Sequence, residues 1–196
     1  LTRGATLSLA QSDYEYSVQN GMGLTFDMPV KRAGAFQVRI AARDRFSSRV
    51  GSAGEFVAVP DLKNKKLAVS GIVLATGSDS TGQSLANAGA RRFTPNSDVH
   101  FAYMIYNAIN ESGALRNLVM QVKLFRDGKD VFTSSEGPIK GTANQTDPSR
   151  IFAGGSVRLP PDLEPGSYYL QITLTEIGVK DKVEPLVQWI DFEIEK

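Results

Sequence analysis

The chain has 196 residues, 41% of them hydrophobic and 22% charged, a balance that is ordinary for a soluble globular protein. Its 22 basic and 21 acidic residues nearly cancel, so there is no basic excess to bind phosphates and we expect no nucleic-acid partner. The lack of cysteine excludes disulfides, thiolate nucleophiles and cysteine-ligated zinc. A single histidine, His100, argues against a multi-histidine metal site or a Ser-His-Asp triad.

The chain contains no candidate for a membrane span, because no run of about 18 apolar residues is present. The opening Leu1-Thr2-Arg3-Gly4 is not a signal peptide and lacks an initiator methionine. We therefore expect the chain to be a fragment of a longer protein.

Alternation of apolar and polar residues, which is typical of half-buried strands, dominates the first third of the chain. It predicts strands over Leu24–Met28, over Phe36–Arg43 and over Glu55–Val59. In Phe36–Arg43 the alternation predicts one buried face and one solvent-exposed face. The segment Gln11–Asn20 fits equally a short helix ending at Gly21 or a strand with a loop, and the sequence leaves both open.

The stretch Pro60–Lys66, a proline followed by charged residues, predicts a linker between two domains. We place the domains at residues 1–62 and 63–196. The second is long enough for the roughly seven strands of a β-sandwich.

The second domain shows the same alternation. The Asp127-Gly128 pair between two strands predicts a tight hairpin, because a type I′ turn needs positive φ at both central residues. The polar stretches at 77–89 and 136–150 predict long loops. The predicted strands are Leu67–Ala75, Val99–Tyr106, Leu118–Leu124, Asp130–Ser134, Ser156–Leu159, Tyr168–Thr175 and Gln188–Ile194.

One sequence phrase occurs twice, and it sets the predicted architecture. Gly34 and Gly166 each open a glycine–aromatic–alternating strand, and each strand is followed by a second one rich in aromatic and β-branched residues. Each copy of the repeat is typical of the closing hairpin of a β-sandwich. The fold class predicted is therefore all-β, with two tandem immunoglobulin-like or fibronectin-like antiparallel sandwiches. The first is incomplete, with its opening strands missing or reduced, and its exposed sheet edge is expected to pair with other chains.

The chain resembles the region downstream of the von Willebrand factor A domain in bacterial "VWFA-related domain" proteins. The resemblance extends over nearly the whole chain, and the segments that carry it are Gly34–Asp44, Gly51–Leu62, Leu67–Leu74, Arg91–Phe93, Leu124–Lys129 and Gln188–Phe192. The resemblance implies an extracytoplasmic bacterial protein (periplasmic, cell-surface or secreted) whose sandwiches have no assigned catalysis. The A domain itself lies outside this chain, so its metal motif cannot be transferred.

The segment Pro165-Gly166-Ser167-Tyr168 also resembles the entry to a late strand in immunoglobulin-like and fibronectin type III-like domains. The fibronectin pattern places its tyrosine at Tyr169, whereas the alternation places Tyr168 in the core. This departure argues against a true tyrosine corner.

Four aromatic residues on outward faces are the candidate binding residues: Tyr106, Phe125, Tyr169 and Trp189. Convergence of these side chains would form an exposed apolar patch, which marks an interaction surface. The same rings could instead stack on a sugar, with Trp189, Tyr169 and Tyr106 as platforms.

Ionisable residues give weaker signals. Asp79–Ser84 has the composition of a cation loop but the wrong spacing, so we assign no metal and no cofactor. His100 is expected at the surface. Dispersed aspartates, among them Asp61 and Asp98, fit turns better than the paired acids of a glycoside hydrolase.

These observations favour a non-catalytic, extracytoplasmic scaffold or protein-interaction module of a larger VWFA-related protein. Its expected partner is another protein or the upstream domains of its own chain. Carbohydrate binding is the alternative, and an unrecognised hydrolase is the third.

Overall fold

The computed structural model describes residues 2–76, 91–110, 112–139, 147, 149–179 and 183–196. The chain divides into two compact units. The first comprises Asp27–Lys66, and the second comprises residues 2–26 together with Leu67–Lys196. The boundary between Lys66 and Leu67 lies at the end of the predicted linker, four residues after the predicted domain boundary at 62/63, and residues 2–26 group with the second unit and not with the first.

The first unit is an antiparallel hairpin of β1 (Gly34–Arg43) and β2 (Val50–Val59). A 3-10 helix follows at Leu62–Asn64, where the Asp61 carboxylate accepts a hydrogen bond from the Lys63 amide at 3.1 Å. The predicted strand over Leu24–Met28 is wrong, since these residues form no regular structure. Alternation there has no neighbouring strand to pair with, and Pro29 removes a backbone donor directly after it.

The hairpin also departs from the prediction that one face of β1 is buried. Phe36 and Val38 are half-buried, but Ile40 keeps 61% of its surface exposed. The reason is that the two-stranded sheet has no second layer against this face among the described residues of its unit.

The helical alternative for the N-terminal segment is confirmed, because α1 spans Gln11–Asn20. It begins after Ala10 without a side-chain cap, and Gly21 ends it with φ 76° while its amide donates to the Ser17 carbonyl at 2.9 Å. Glycine is suited to this position because it adopts positive φ without steric cost.

The second unit contains two sheets. The four-stranded sheet consists of β10 (Arg150–Arg158), β6 (Asp98–Tyr106), β3 (Ala68–Val69) and β4 (Val73–Thr76), with β6 paired to the other three. The six-stranded sheet consists of β5 (Arg92–Phe93), β12 (Leu186–Ile194), β11 (Gly166–Glu176), β7 (Leu118–Arg126), β8 (Lys129–Thr133) and β9 (Gly137–Pro138). The pairing is antiparallel except between β5 and β12.

The inner faces of these two sheets share one hydrophobic core. Tyr168, Leu170 and Ile172 of β11 are each no more than 1% exposed, and they join the same cluster as Val99 and Phe101 of β6. Each buried aliphatic side chain of this kind contributes about 1.5–3 kcal/mol to folding. The predicted alternation is therefore confirmed in the second unit, and the chain has an all-β, sandwich-like fold with one short α-helix among the described residues.

The predicted hairpin at Asp127-Gly128 is confirmed, with φ 50° and 75° at the two turn residues. The predicted strand Leu67–Ala75 is divided into β3 and β4, because the Ser70 hydroxyl accepts the Met104 amide at 2.9 Å and donates to the Gly71 carbonyl at 2.7 Å. The strand predicted at Ser156–Leu159 begins earlier, at Arg150, and β5 and β9 were not predicted. The predicted loop at 77–89 and most of that at 136–150 lie outside the described residues.

Candidate functional site

Three of the four candidate binding residues meet on the outer face of the six-stranded sheet. Phe125 of β7 lies directly opposite Tyr169 of β11, and Trp189 follows on the next strand, β12. All three point away from the core because their neighbours in sequence, Leu124, Tyr168 and Ile190, point toward it. We call Phe125, Tyr169 and Trp189 the outer aromatic patch.

Two rings of the outer aromatic patch, those of Phe125 and Trp189, are in contact across β11. The Phe125 and Trp189 ring centroids are 5.2 Å apart with an angle of 50° between their planes, within the range of favourable aromatic pairs. Tyr169 and Trp189 each keep half of their surface exposed, and exposed Val187 extends the apolar area along β12. Such a contiguous apolar surface on a sheet face is a feature of interaction sites.

Charged pairs border the patch on two sides. On one side Lys123 lies 3.6 Å from the Asp130 carboxylate, which also accepts a hydrogen bond from Thr133 at 2.6 Å. On the other side Arg91 forms an ion pair with Asp191, the cross-strand neighbour of Tyr169. The site is therefore a sheet face with aromatic rings in its middle and paired charges at its rim.

The structure places Tyr106 elsewhere. It lies on the outer face of β6 in the four-stranded sheet, and the hydrophobic core separates that face from the outer aromatic patch. The alternation of side chains along a strand shows which residues share a face, but it does not show which sheet the strand joins. A three-ring platform of Trp189, Tyr169 and Tyr106 is therefore not formed.

A cluster that the sequence did not assign stands at the entry of β11. The Tyr168 hydroxyl donates to the Glu164 carbonyl at 2.8 Å and accepts from Arg126 Nη1 at 3.2 Å. Arg126 also donates to the Glu164 carboxylate at 2.9 Å and lies over the Tyr168 ring, 5.5 Å from its centroid. Its hydrogen bond to Tyr168 raises the pKa of Arg126, which keeps the cation charged. The sequence feature that could have indicated this cluster is the segment Glu164-Pro165-Gly166-Ser167-Tyr168, which contains two of its three residues.

The aspartates weighed for catalysis have structural contacts. Asp61 caps the 3-10 helix, Asp98 pairs with Arg158 at 2.8 Å, and Asp127 forms the hairpin turn. His100 is half-exposed on the outer face of β6. In the described part of the chain, no three of its histidine, aspartate and glutamate residues lie close enough to hold a metal. The Asp79–Ser84 loop lies outside the described residues.

One pocket between the two sheets has a volume of about 220 Å³. Its lining is mainly apolar or backbone, and its ionisable group is the Tyr103 phenol, which donates to Met120 Sδ at 3.0 Å. Burial raises the pKa of Tyr103, so the phenol is neutral at physiological pH. The lining residues are Tyr103, Met120, Pro138, Ile139, Ala153 and Gly154.

The helix α1 is too short and too polar to cross a membrane, and the described ranges contain no other helix that could do so. Neither a family model nor a curated protein matches the chain. Among solved structures, the chain is similar to one described as a "Putative bacterial DNA binding protein" from Bacteroides vulgatus ATCC 8482. That similarity covers 94% of this chain and 76% of the other at 13% identity, with a TM-score of 0.26.

Proposed function

We propose that the chain is a non-catalytic protein-interaction module and that the outer aromatic patch is its contact surface. The observation that carries this proposal is the contact between the Phe125 and Trp189 rings, whose centroids are 5.2 Å apart, beside half-exposed Tyr169. Tyrosine and tryptophan are the residues most enriched at the energetic centres of protein interfaces. Charged pairs at the rim, with an apolar middle, match the anatomy of such interfaces.

The underlying scaffold favours this use of the patch. Tyr169 and Trp189 belong to β11 and β12, whose alternate residues are anchored in the core. Rings held by packed strands lose little conformational entropy on binding, which preserves affinity. A rigid sheet face is therefore suited to recognising a folded partner.

We further propose that the second unit is an immunoglobulin-like or fibronectin-like sandwich of the kind found downstream of A domains in VWFA-related proteins. The Tyr168 hydroxyl bond to the Glu164 backbone supports this assignment, because a tyrosine corner makes the same kind of bond to the backbone a few residues upstream. The sequence spacing argues against a tyrosine corner because the fibronectin pattern expects the tyrosine at position 169, but the bond is made by Tyr168. The assignment would imply an extracytoplasmic compartment. A gene that encodes a secretion signal and an A domain upstream of this chain is expected, and a cytoplasmic enzyme domain there would contradict the proposal.

Site-specific photo-crosslinking tests the contact surface. A photoreactive p-benzoylphenylalanine replaces Tyr169, and in a matched control it replaces Tyr106 on the other sheet. In cells that produce the protein, we expect a partner to be captured from position 169 and not from position 106. Equal capture from both positions, or none from 169, would contradict the proposal.

Affinity of the purified partner provides the second measurement. Trp189 is the single tryptophan, so its fluorescence reports directly on the patch. We expect Trp189→Ala and Phe125→Ala to weaken binding by about tenfold or more, measured by calorimetry, as for residues at the centre of an interface. Tyr106→Ala should leave binding unchanged.

Carbohydrate binding is the second candidate, because Tyr169 and Trp189 present exposed side chains at diagonal positions of neighbouring strands on one face. It predicts that a soluble oligosaccharide changes Trp189 fluorescence and that Trp189→Ala abolishes its binding. A sugar bound in this way, without a protein captured from position 169, would replace the protein-interaction proposal.

A further inference from the structure

The hairpin of the first unit and the closing hairpin of the second unit are built to the same plan. Gly34 opens β1 with φ 135° and pairs with Val59, the last residue of β2. Gly166 opens β11 with φ 143° and pairs with Ile194, the last residue of β12. The sequence repeat is therefore also a repeat of register, and each position of β1 has an equivalent in β11.

The two hairpins differ in what lies beside them. β11 has β12 on one edge and β7 on the other, and Ile172 in its middle is 1% exposed. The equivalent of Ile172 in β1 is Ile40, which is 61% exposed, and within the described first unit β1 pairs with β2 alone. A two-stranded hairpin by itself is only marginally stable in water. Among the described residues, the edge of β1 that corresponds to the β7 side of β11 pairs with no strand and can accept one.

Charge distinguishes the first unit from the rest of the chain. Residues 27–66 contain nine basic and four acidic residues, although the whole chain is nearly neutral. Two of the basic residues, Arg39 and Arg43, stand four positions apart on the polar face of β1. Neither takes part in an ion pair among the described residues of the chain. A strand placed beside β1 would meet this uncompensated positive charge.

The β7–β11 pairing gives the register of such a strand. β7 sets Leu124 opposite Leu170 and Val122 opposite Ile172, the equivalents of Val38 and Ile40. On the other face it sets position 123 opposite Gln171 and position 119 opposite Thr175, the equivalents of Arg39 and Arg43. Opposite charges across neighbouring strands stabilise a sheet, and like charges destabilise it.

We propose that the free edge of β1 binds an extended antiparallel strand from a partner polypeptide, in the position that β7 takes beside β11. Its residues opposite Val38 and Ile40 are apolar, and its residues opposite Arg39 and Arg43, four positions apart, are acidic. This is β-strand addition, in which backbone hydrogen bonds provide affinity and alternate side chains provide specificity.

Two matched peptides test the proposal on the full chain. The first has the β7 sequence (residues 118–126) with Glu at the positions of Val119 and Lys123, and the second has Lys at both positions. Each carries a fluorescein label, and binding is measured by fluorescence anisotropy at low ionic strength. We expect the glutamate peptide to bind at least about fivefold more tightly than the lysine peptide, and added salt to reduce the difference.

A charge-swapped chain locates the binding edge. Arg39→Glu combined with Arg43→Glu, both exposed residues, should reverse the preference so that the lysine peptide binds more tightly. An unchanged preference would mean that the peptides bind elsewhere and would overturn the proposal. Binding of neither peptide by the unmodified chain would also overturn it.

Two other binding partners at the edge of β1, a second copy of the chain and a nucleic acid, would give different results. A concentration-dependent dimer in sedimentation velocity that Arg39→Glu with Arg43→Glu abolishes would identify a second copy of the chain and overturn the proposal. Displacement of the glutamate peptide by a short DNA duplex, at concentrations where an uncharged polymer has no effect, would identify a nucleic-acid surface and overturn it as well. The outer aromatic patch belongs to other strands, so its proposal stands or falls separately.

Discussion

Removal of the Tyr168 hydroxyl should destabilise the second unit measurably. The side chain is 1% exposed, and its hydroxyl both donates to the Glu164 carbonyl at 2.8 Å and accepts from Arg126 at 3.2 Å. A net hydrogen bond contributes about 1 kcal/mol, and a buried group that loses its partner costs about 1–3 kcal/mol. We therefore expect Tyr168→Phe to lower the free energy of unfolding by about 1–2 kcal/mol, because the ring packing is kept and only the hydroxyl is lost.

The adjacent residue provides a matched control. Tyr169→Phe removes the same atom from a half-exposed side chain on the outer face and should change stability by less than about 0.5 kcal/mol. Urea unfolding followed by circular dichroism measures both variants. A second comparison adds Arg126→Met, in whose background the loss from Tyr168→Phe should be smaller, since one of the two bonds is already absent. Equal losses from Tyr168→Phe and Tyr169→Phe would refute the reasoning.

Three further predictions concern the same unit. Gly154→Ala should lower stability by about 1–3 kcal/mol in urea unfolding, because its Cβ would overlap a backbone carbonyl of β6, whereas Gly71→Ala, which meets open space, should cost less than about 1 kcal/mol. Glu176→Gln should destabilise by about 2–4 kcal/mol in the same assay, because it leaves Arg116, held at 2.9 Å and 17% exposed, without its counter-charge; a loss below about 1 kcal/mol would contradict a buried pair. The raised pKa of Tyr103 means that the phenol ionises more readily in the unfolded chain, so stability should be retained below pH 10 and decline as the pH rises above it. Tyr103→Phe should remove the part of this alkaline loss of stability that comes from Tyr103. An unchanged dependence of stability on pH in the variant would contradict the prediction.

Local chemistry made much of the second unit predictable. Asp127-Gly128 specified its hairpin because both residues tolerate positive φ, and the structure has φ 50° and 75° there. The core face of β11 followed from the alternation at Tyr168, Leu170 and Ile172. In each case the determining interaction lies within a few residues of the sequence.

Features that depend on distant partners were not predictable. The two-residue strands β5 and β9 exist only because β12 and β7 lie beside them. The exposure of Ile40 depends on a second layer, about which the alternation of β1 carries no information. For the same reason the sequence identified outward aromatics but could not separate Tyr106, in one sheet, from Phe125 in the other.

The position of β11 between β7 and β12 has a consequence for amide hydrogen exchange. Its amides are held from both edges and can exchange only when the unit opens globally, so the middle of this strand should keep its protons longest. β1, with nearly the same sequence pattern, is held from one edge and should exchange through local fraying. One chain thus contains two versions of a single hairpin whose protection factors measure what neighbouring strands add to it.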